Sequence, residues 1–235
     1  MSIYIKRAAQ LFGASLTGIC RLNQSWLYTD AEIPSNCNTA VVMAIEMDPA
    51  GIATSPAIPA ASATGVGYSR MGFLLALMGE FIRNLGYDAI QCGNDTGLSI
   101  PLAIDAGLGQ LGRHGLLITP QYGSRVRLCK LFTNLPLSPD KPIDFGVTET
   151  CRYCKRCAEA CEVDAISFED EPTFTPKCSS NMSGVLKWYV DSERCYEFWC
   201  DNGGDCSTCI SVCPYTKHTF NKVPLTPEEF WTLKT

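Results

Sequence analysis

Cysteines dominate the chemistry that this sequence could perform. Fourteen of its 235 residues are cysteine, and two groups have spacings that suit metal clusters. The groups read CxxCxxCxxxC and CxxCxxxCP, and they comprise Cys151, Cys154, Cys157 and Cys161, and then Cys206, Cys209 and Cys213. Closely spaced thiolates can each bind one corner of a cubane, and this pair of patterns is typical of proteins with two [4Fe-4S] clusters. The sequence therefore predicts two such clusters in its last third.

The ligands of each cluster follow from a rule of two-cluster ferredoxins, in which the last cysteine of one motif binds the cluster of the other motif. This rule predicts a first cluster held by Cys151, Cys154, Cys157 and Cys213. It predicts a second cluster held by Cys161, Cys206, Cys209 and one further cysteine. Cys195 and Cys200 both remain candidates for that last position, because spacing alone does not decide between them.

Disulfides and zinc are the competing interpretations of these cysteines. Disulfide frameworks occur mainly in small secreted chains, whereas 235 residues with 46% hydrophobic content can bury a core without them. Four cysteines within eleven residues would also overfill one tetrahedral zinc site. The spacing favours iron–sulfur clusters, although Glu162 stands where the bacterial motif has proline.

Composition narrows the remaining function classes. The net charge of -5 and the pI near 5.1 provide no basic surface for nucleic acid. His114 and His218 are the only histidines, which excludes a histidine-rich metal site. No apolar run is long enough for a transmembrane helix, and the N-terminus lacks the features of a signal peptide.

Hydrophobic periodicity predicts a mixed α+β chain that could position these residues. Residues 39–47 form an apolar, β-branched run, which indicates a strand buried on both faces at the centre of a sheet. Ser99 is expected to cap a short helix that ends before Gly107. Further helices are predicted at residues 2–11, 71–85 and in the last twenty residues, and strands at 14–22, 115–119 and 125–132. The proline-rich stretch 135–142 predicts a boundary between domains 1–142 and 143–235.

The uncharged segment 49–69 is the least regular part of the pattern. It is rich in Ala, Ser, Thr, Gly and Pro. One interpretation is a surface loop, since long loops in compact domains are usually functional or disordered. The other is that its small side chains allow the backbone to lie flat against a large ligand.

Three longer stretches resemble a known family. They are GYSRM at residues 67–71, GNDTGLSIPLAIDAGLGQLGRHGLLITPQYGSRVRLCKLFTNLPLSPDKPIDFGVTE at 93–149, and GGDCSTCISVCPYTK at 203–217. Together they resemble the corrinoid-dependent reductive dehalogenases of organohalide-respiring bacteria, and most of all the tetrachloroethene reductive dehalogenases. The resemblance covers nearly the whole chain, although family members are usually much longer.

The resemblance implies a fold, cofactors and site residues. The fold would be a nitroreductase-like domain that binds a base-off corrinoid, followed by a ferredoxin-like domain with two [4Fe-4S] clusters. The absence of a DxHxxG motif agrees with a corrinoid that has no histidine below its cobalt. The proton donor falls on Tyr68, the substrate-pocket asparagine on Asn94 and their basic partner on Arg127. The last cluster ligand falls on Cys195, which leaves Cys200 as an extra thiol.

The implied activity is reductive dehalogenation of a small organohalide such as a chlorinated ethene or ethane. Electrons would pass through the two clusters to the corrinoid, and Arg127 would stabilise the Tyr68 phenolate after proton transfer. Two alternatives are an epoxyqueuosine reductase-like corrinoid enzyme and a non-catalytic iron–sulfur electron-transfer module.

The resemblance also implies partners and a location. The expected partners are a respiratory-chain electron donor, a small membrane-anchor protein and a second copy in a homodimer, with no nucleic acid. Family members are exported by the twin-arginine route to the outer face of the cytoplasmic membrane, where they are membrane-associated. The chain as written has neither a leader nor a transmembrane segment, so the expectation is cytoplasmic if it is complete.

Overall fold

The structure, a computed structural model, describes residues 1–216. These residues form two compact units, and each unit contains segments from several parts of the chain. The first, here called the sheet unit, comprises Met1–Met47, Gly65–Gly109 and Val126–Ile143. The second, here called the cysteine unit, comprises Asp48–Thr64, Gln110–Arg125 and the chain from Asp144 onward.

The elements make this an α+β chain, as predicted. The helices are α1 (Ser2–Leu11), α2 (Pro49–Ala53), α3 (Ile58–Asn84), α4 (Ser99–Asp105), α5 (Val147–Cys154), α6 (Arg156–Glu159), α7 (Ser192–Asn202) and α8 (Thr208–Ser211). The strands are β1 (Leu16–Arg21), β2 (Thr39–Glu46), β3 (Ala89–Cys92), β4 (Gln110–Leu111), β5 (Leu117–Ile118) and β6 (Val126–Thr133). Two short 3₁₀ helices cover Gln24–Trp26 and Pro214–Thr216.

The sheet unit contains a four-stranded antiparallel sheet in the order β1-β2-β6-β3. Strand β2 is central and buried from Thr39 to Ile45, so the prediction from its apolar, β-branched sequence is confirmed. Helix α1 is amphipathic as predicted, because Ile5 and Ala9 are its buried residues. The core joins these side chains to Val41, Met43, Leu74, Met78, Ile82 and Leu131.

Helix α3 corrects the interpretation of residues 49–69 as a surface loop. The Asp48 side chain caps α2 by accepting a hydrogen bond from the Gly51 amide at 2.6 Å, and Pro49 occupies the first turn. The long helix then begins at Ile58 rather than at Met71. Alanine has the highest helix propensity of all residues. The alanines of this segment outweigh the low helix propensity of its glycines, which had suggested an irregular structure.

Two further local predictions were wrong. Ser99 does not cap α4, because Leu98 precedes the helix and the Ser99 hydroxyl instead accepts a hydrogen bond from Lys130 Nζ at 3.1 Å. The alternation of charged and apolar residues in β6 predicts a half-buried strand with its charges in solvent, but Lys130 is fully buried. The predicted C-terminal helix, with Phe230, Trp231 and His218, lies outside the described residues.

The cysteine unit is built from short elements. Ile118, Val147, Trp188 and Tyr215 pack around Cys151 and Cys213. A second cluster of buried side chains includes Ala158 and Ile166 beside Cys157, Cys161 and Cys209. Within residues 1–216, no helix has both the length and the apolar character needed to cross a membrane.

Candidate functional site

Tyr68 is the centre of a polar group in the sheet unit. It lies on α3 with 39% of its surface exposed. Its phenol oxygen accepts a hydrogen bond from Asn94 Nδ2 at 2.9 Å and another from Arg127 Nη1 at 3.1 Å. The structure thus brings together the three predicted catalytic residues, although they are far apart in sequence.

Arg127 is oriented by its own surroundings. It lies on β6, and its guanidinium carbon is 5.1 Å from the centre of the Tyr68 ring. Its Nε atom also donates to the sulfur of Met47 at 3.2 Å. A Cβ atom at Gly67 would lie 2.8 Å from Arg127 Cγ, which is closer than real Cβ contacts allow. Glycine at position 67 therefore makes room for the arginine beside the helix.

Asn94 is held by a residue that the sequence analysis did not identify. The buried Nζ of Lys130 donates hydrogen bonds to the carbonyl oxygens of Gly93 at 2.7 Å and Asp95 at 2.8 Å. These two carbonyls flank Asn94, and the third donor of the ammonium goes to Ser99. Burial lowers the pKa of Lys130. The alternating pattern of β6 gave no signal that this lysine points inward.

This arrangement suits proton donation from a phenol. Both hydrogen bonds at the Tyr68 oxygen are accepted by that oxygen, which leaves its own proton available to a further acceptor. Asn94 and Arg127 thus fix the phenol oxygen without using the phenol proton.

The first predicted cysteine group lines one cavity of the cysteine unit. Cys151, Cys154, Cys157 and Cys213 share this lining with Arg113, His114 and Tyr215. Burial raises the pKa of Cys151 to about 11, and the pKa values of Cys157 and Cys213 are raised by burial and by the neighbouring thiols. Four buried thiolates repel one another, so this group needs a cationic centre to hold them in the ionised form.

The second cysteine group gathers in the same unit. Burial, followed by the charges of Cys206, Cys195 and Cys161, raises the pKa of Cys209 to about 12. The pKa of Cys195 is raised by burial and then by Cys161 and Cys206. Cys200 is exposed. The fold thus places Cys195 among the other three predicted ligands of the second cluster.

The arrangement of the cysteines fits clusters better than the competing interpretations. All fourteen cysteines are free. Among residues 1–216, no three His, Cys, Asp or Glu side chains converge closely enough for a single metal ion. Thiolates that bind separate corners of a four-iron cubane stand farther apart than those that share one zinc ion. Eight of the cysteines fall into the two groups of four that two [4Fe-4S] clusters require.

Polar groups around the cysteines also suit iron–sulfur chemistry. Three backbone amides donate hydrogen bonds to cysteine sulfurs. The Arg113 amide donates to Cys151 Sγ at 3.4 Å, the Ala165 amide to Cys161 Sγ at 3.3 Å, and the Thr208 amide to Cys206 Sγ at 3.4 Å. Such amides stabilise thiolates and clusters. Arg113 and Ala165 lie outside the cysteine runs, so the motifs alone gave no indication of these two donors.

Arg113 supports the first cysteine group. Its side chain is 1% exposed and donates to the carbonyl oxygens of Cys151, Ser167 and Glu169. Its guanidinium carbon lies 4.6 Å from the centre of the Trp188 ring. Arg113 thus ties the first cysteine helix to a distant loop and places a positive charge nearby.

Comparison with known proteins shows which proteins this chain resembles. The 4Fe-4S dicluster domain family matches residues 150–217. The chain is 39% identical to a tetrachloroethene reductive dehalogenase of Sulfurospirillum multivorans over 91% of its length. It is 44% identical to a tetrachloroethene reductive dehalogenase of Desulfitobacterium hafniense over 76% of its length. This chain is a reductive dehalogenase homologue.

The chain spans only part of the length of these relatives. It spans 50% of the Sulfurospirillum protein and 33% of the Desulfitobacterium protein. Another relative, the epoxyqueuosine reductase of Listeria monocytogenes, is 35% identical over 130 residues, which is 54% of this chain and 32% of that one.

Solved structures of reductive dehalogenases resemble the homologue over most of its length. A catabolic reductive dehalogenase in complex with 3-bromo-4-hydroxybenzoic acid matches 91% of this chain and 31% of its own, at 30% identity and a TM-score of 0.81. A structure described as suggesting a mechanism for B12-dependent dehalogenation matches 97% of this chain and 33% of its own chain, at 28% identity and a TM-score of 0.82. Epoxyqueuosine reductase with a tRNA stem loop matches 97% of this chain and 68% of its own chain. The identity is 18% and the TM-score is 0.60, which shows a shared fold.

Proposed function

We propose that this chain carries out reductive dehalogenation of a small organohalide, with a chlorinated ethene or ethane as the substrate class. The observation that carries the proposal is the Tyr68 phenol oxygen held between Asn94 and Arg127. Relatives named for tetrachloroethene, trichloroethene and chloroethene support the substrate class. The reaction replaces halogen by hydrogen, consumes two electrons and one proton, and releases halide.

In this proposal the eight grouped cysteines hold two [4Fe-4S] clusters, which supply electrons one at a time. Cys151, Cys154, Cys157 and Cys213 would bind the first cluster. Cys161, Cys195, Cys206 and Cys209 would bind the second. The dicluster family match over residues 150–217 supports both assignments.

The second cofactor in this proposal is a base-off corrinoid, which supplies a strongly reducing cobalt centre for carbon–halogen cleavage. An exposed face of α3 beside Tyr68 is compatible with a flat macrocycle, because its residues are small or uncharged. A Cβ atom at Gly65 or Gly72 would meet nothing within 4 Å, so this face is open. The face consists of Gly65, Val66, Ser69, Gly72, Phe73 and Ala76. The nitroreductase-like fold of residues 1–142 is part of the same proposal.

Each residue of the polar group has its own task. Tyr68 gives the proton that replaces the halogen. Arg127 stabilises the phenolate through its charge and its hydrogen bond, and Asn94 supplies the second donor. Lys130 holds the backbone on both sides of Asn94.

The wider role belongs to the same proposal. A respiratory electron donor would reduce the clusters of the predicted second domain, residues 143–235. The proposed setting is organohalide respiration at the outer face of the cytoplasmic membrane, with a small anchor protein and homodimer formation. The support for these assignments is the family resemblance of the sequence motifs.

An epoxyqueuosine reductase-like activity is the second candidate. It is favoured by the 35% identity to the Listeria enzyme over 130 residues. A third outcome is an electron-transfer module that binds clusters and performs no dehalogenation. The cofactor content and the products distinguish these candidates.

Anaerobic reconstitution of the full chain with iron, sulfide and cobalamin tests the proposal. We expect about eight irons per chain, retained cobalt, and chloride release from a chlorinated ethene with a low-potential reductant. A Cys209→Ser variant serves as the control with a damaged second cluster. Retained cobalt with turnover of epoxyqueuosine and no chloride would support the second candidate. Clusters without cobalt would support the electron-transfer module, and absence of clusters would overturn the proposal.

A further inference from the structure

His114 is a buried residue for which the proposed reaction has no use. It lies in the turn between β4 and β5, closed by a hydrogen bond from the Gly115 amide to the Gly112 carbonyl at 3.0 Å. Its side chain is 5% exposed. It lines the same cavity as the first cysteine group, Cys151, Cys154, Cys157 and Cys213.

The hydrogen-bond pattern assigns the proton on the His114 ring. The Leu116 amide donates to Nδ1 at 3.2 Å, so Nδ1 acts as an acceptor and carries no proton. An imidazole without a proton on Nδ1 carries one on Nε2. Nε2–H is therefore a donor. This atom is buried, and it has no hydrogen-bond partner among residues 1–216.

The sequence makes room for the ring in this place. A Cβ atom at position 112 would lie 2.8 Å from His114 Cε1 and 2.6 Å from Ile118 Cδ1. Only glycine at position 112 leaves space for the imidazole beside Ile118. A buried donor that lacks a partner destabilises a fold, so an unpaired Nε2–H calls for an acceptor that the protein atoms alone do not provide.

We propose that His114 Nε2–H donates a hydrogen bond to a sulfur atom of the cluster held by the first cysteine group, and that this bond raises the reduction potential of that cluster. The inference rests on the proposed function only in that the first cysteine group binds a [4Fe-4S] cluster. The cavity lining supplies the sulfur atoms of that site as acceptors, and its two hydroxyls, of Thr150 and Tyr215, are already hydrogen-bonded to each other. The reduced cluster carries one more negative charge, so a donor to its sulfur stabilises the reduced form more than the oxidised form.

Two substitutions separate hydrogen bonding from packing. His114→Leu fills the cavity with an apolar side chain and removes the donor. His114→Gln places an amide N–H near the position of Nε2 and restores a donor. The second cluster serves as an internal reference, because its cysteines are not part of the cavity that His114 lines.

An EPR-monitored redox titration of the full chain with reconstituted clusters measures the effect. In His114→Leu the ratio of reduced to oxidised first cluster should fall about tenfold at a given applied potential, which is a midpoint about 59 mV lower for a one-electron couple. His114→Gln should recover most of this shift, and the second cluster should keep its midpoint. In D₂O, pulsed EPR should show an exchangeable deuteron coupled to the first cluster in the parent protein and in His114→Gln, but not in His114→Leu.

The outcomes separate this inference from the proposed function. An unchanged midpoint and an unchanged deuteron signal in His114→Leu, with full iron content, would overturn the hydrogen bond and leave the clusters in place. Loss of iron in His114→Leu but not in His114→Gln would support a role of the donor in cluster retention. Parent protein that binds no cluster at the first group would overturn the proposed function itself.

Discussion

The guanidinium of Arg127 contacts Tyr68 in two ways: Nη1 donates to the phenol oxygen at 3.1 Å, and the guanidinium carbon lies 5.1 Å from the ring centre. The hydrogen bond fixes the position of the phenol oxygen, and the cation–π contact fixes the guanidinium against the ring. The pair joins strand β6 to helix α3 within the sheet unit.

Removing the phenol oxygen should abolish proton donation. In Tyr68→Phe we expect chloride release by the reconstituted protein to fall about 10²- to 10⁴-fold, the usual contribution of a positioned general acid. Iron and cobalt contents should match those of the parent. Tyr4→Phe, which changes an exposed tyrosine of the same unit, is the matched control and should keep full activity. Dehalogenation by Tyr68→Phe at the parent rate would remove Tyr68 from the mechanism.

A methyl group at position 67 should displace Arg127. In Gly67→Ala the new Cβ would meet Arg127 Cγ at 2.8 Å, so activity should fall toward that of Arg127→Met. Gly67→Ala should cause no further loss when it is added to Arg127→Met, because the two changes act on the same contact. Activities of the two single variants and the double variant give this comparison, and additive losses would contradict it.

The same substitution at Gly72 is the stability control on helix α3. A Cβ atom there meets nothing within 4 Å, so Gly72→Ala should stabilise the helix by about 0.5–1 kcal/mol. Gly67→Ala should lack this gain because of its steric conflict. Denaturant unfolding of the two variants measures the difference.

Lys130 should control the order of the loop that carries Asn94. Lys130→Met leaves the Gly93 and Asp95 carbonyls without their donor, which should cost about 1–3 kcal/mol of folding free energy. Hydrogen exchange of amides in residues 93–98 should quicken more than exchange in β2. Lys141→Met, at an exposed lysine of the same unit, should change neither measurement. Equal exchange in parent and Lys130→Met would show that the loop holds its position without the lysine.

Cys195 and Cys200 provide a matched pair for the second cluster. Cys195 lies among the other predicted ligands, whereas Cys200 is exposed on the same helix. Cys195→Ser should therefore lower the iron content of reconstituted protein toward about four per chain, and Cys200→Ser should leave it near eight. Iron analysis with sulfide analysis measures both. Loss of iron in Cys200→Ser alone would reverse the assignment.

Cys178 should be the most reactive of the cysteines outside the cluster groups. A hydrogen bond with the Ser192 hydroxyl lowers its pKa, so more thiolate is present at pH 7 and the reaction persists to lower pH than for an ordinary cysteine. Buried Cys20, with a pKa raised to about 12, should stay unlabelled. Mass spectrometry after iodoacetamide treatment of cluster-loaded protein measures both sites. Ser192→Ala should shift the pH profile of Cys178 to higher pH, and an unshifted profile would exclude this hydrogen bond as the cause.

Local spacing along the chain was enough to predict several parts of this protein. The cysteine motifs predicted two groups of cluster ligands, because ligands a few residues apart are constrained by the chain that joins them. The apolar run of β2 predicted a buried central strand, because burial on both faces requires apolar residues at successive positions. Resemblance to a family, rather than any local pattern, pointed to Tyr68, Asn94 and Arg127.

Contacts between residues that are distant in sequence became visible only in the folded chain. Tyr68 lies 26 positions from Asn94 and 59 from Arg127, and no periodicity relates them. Spacing left Cys195 and Cys200 equivalent, and the fold placed one near Cys161 and Cys206 and the other at the surface. Nothing in the sequence distinguishes Lys130 and His114 from other residues. Their burial and their surroundings come from segments that folding brings together. Local sequence patterns depend on the geometry of neighbouring residues in the chain, whereas a functional site depends on how distant helices and strands pack together.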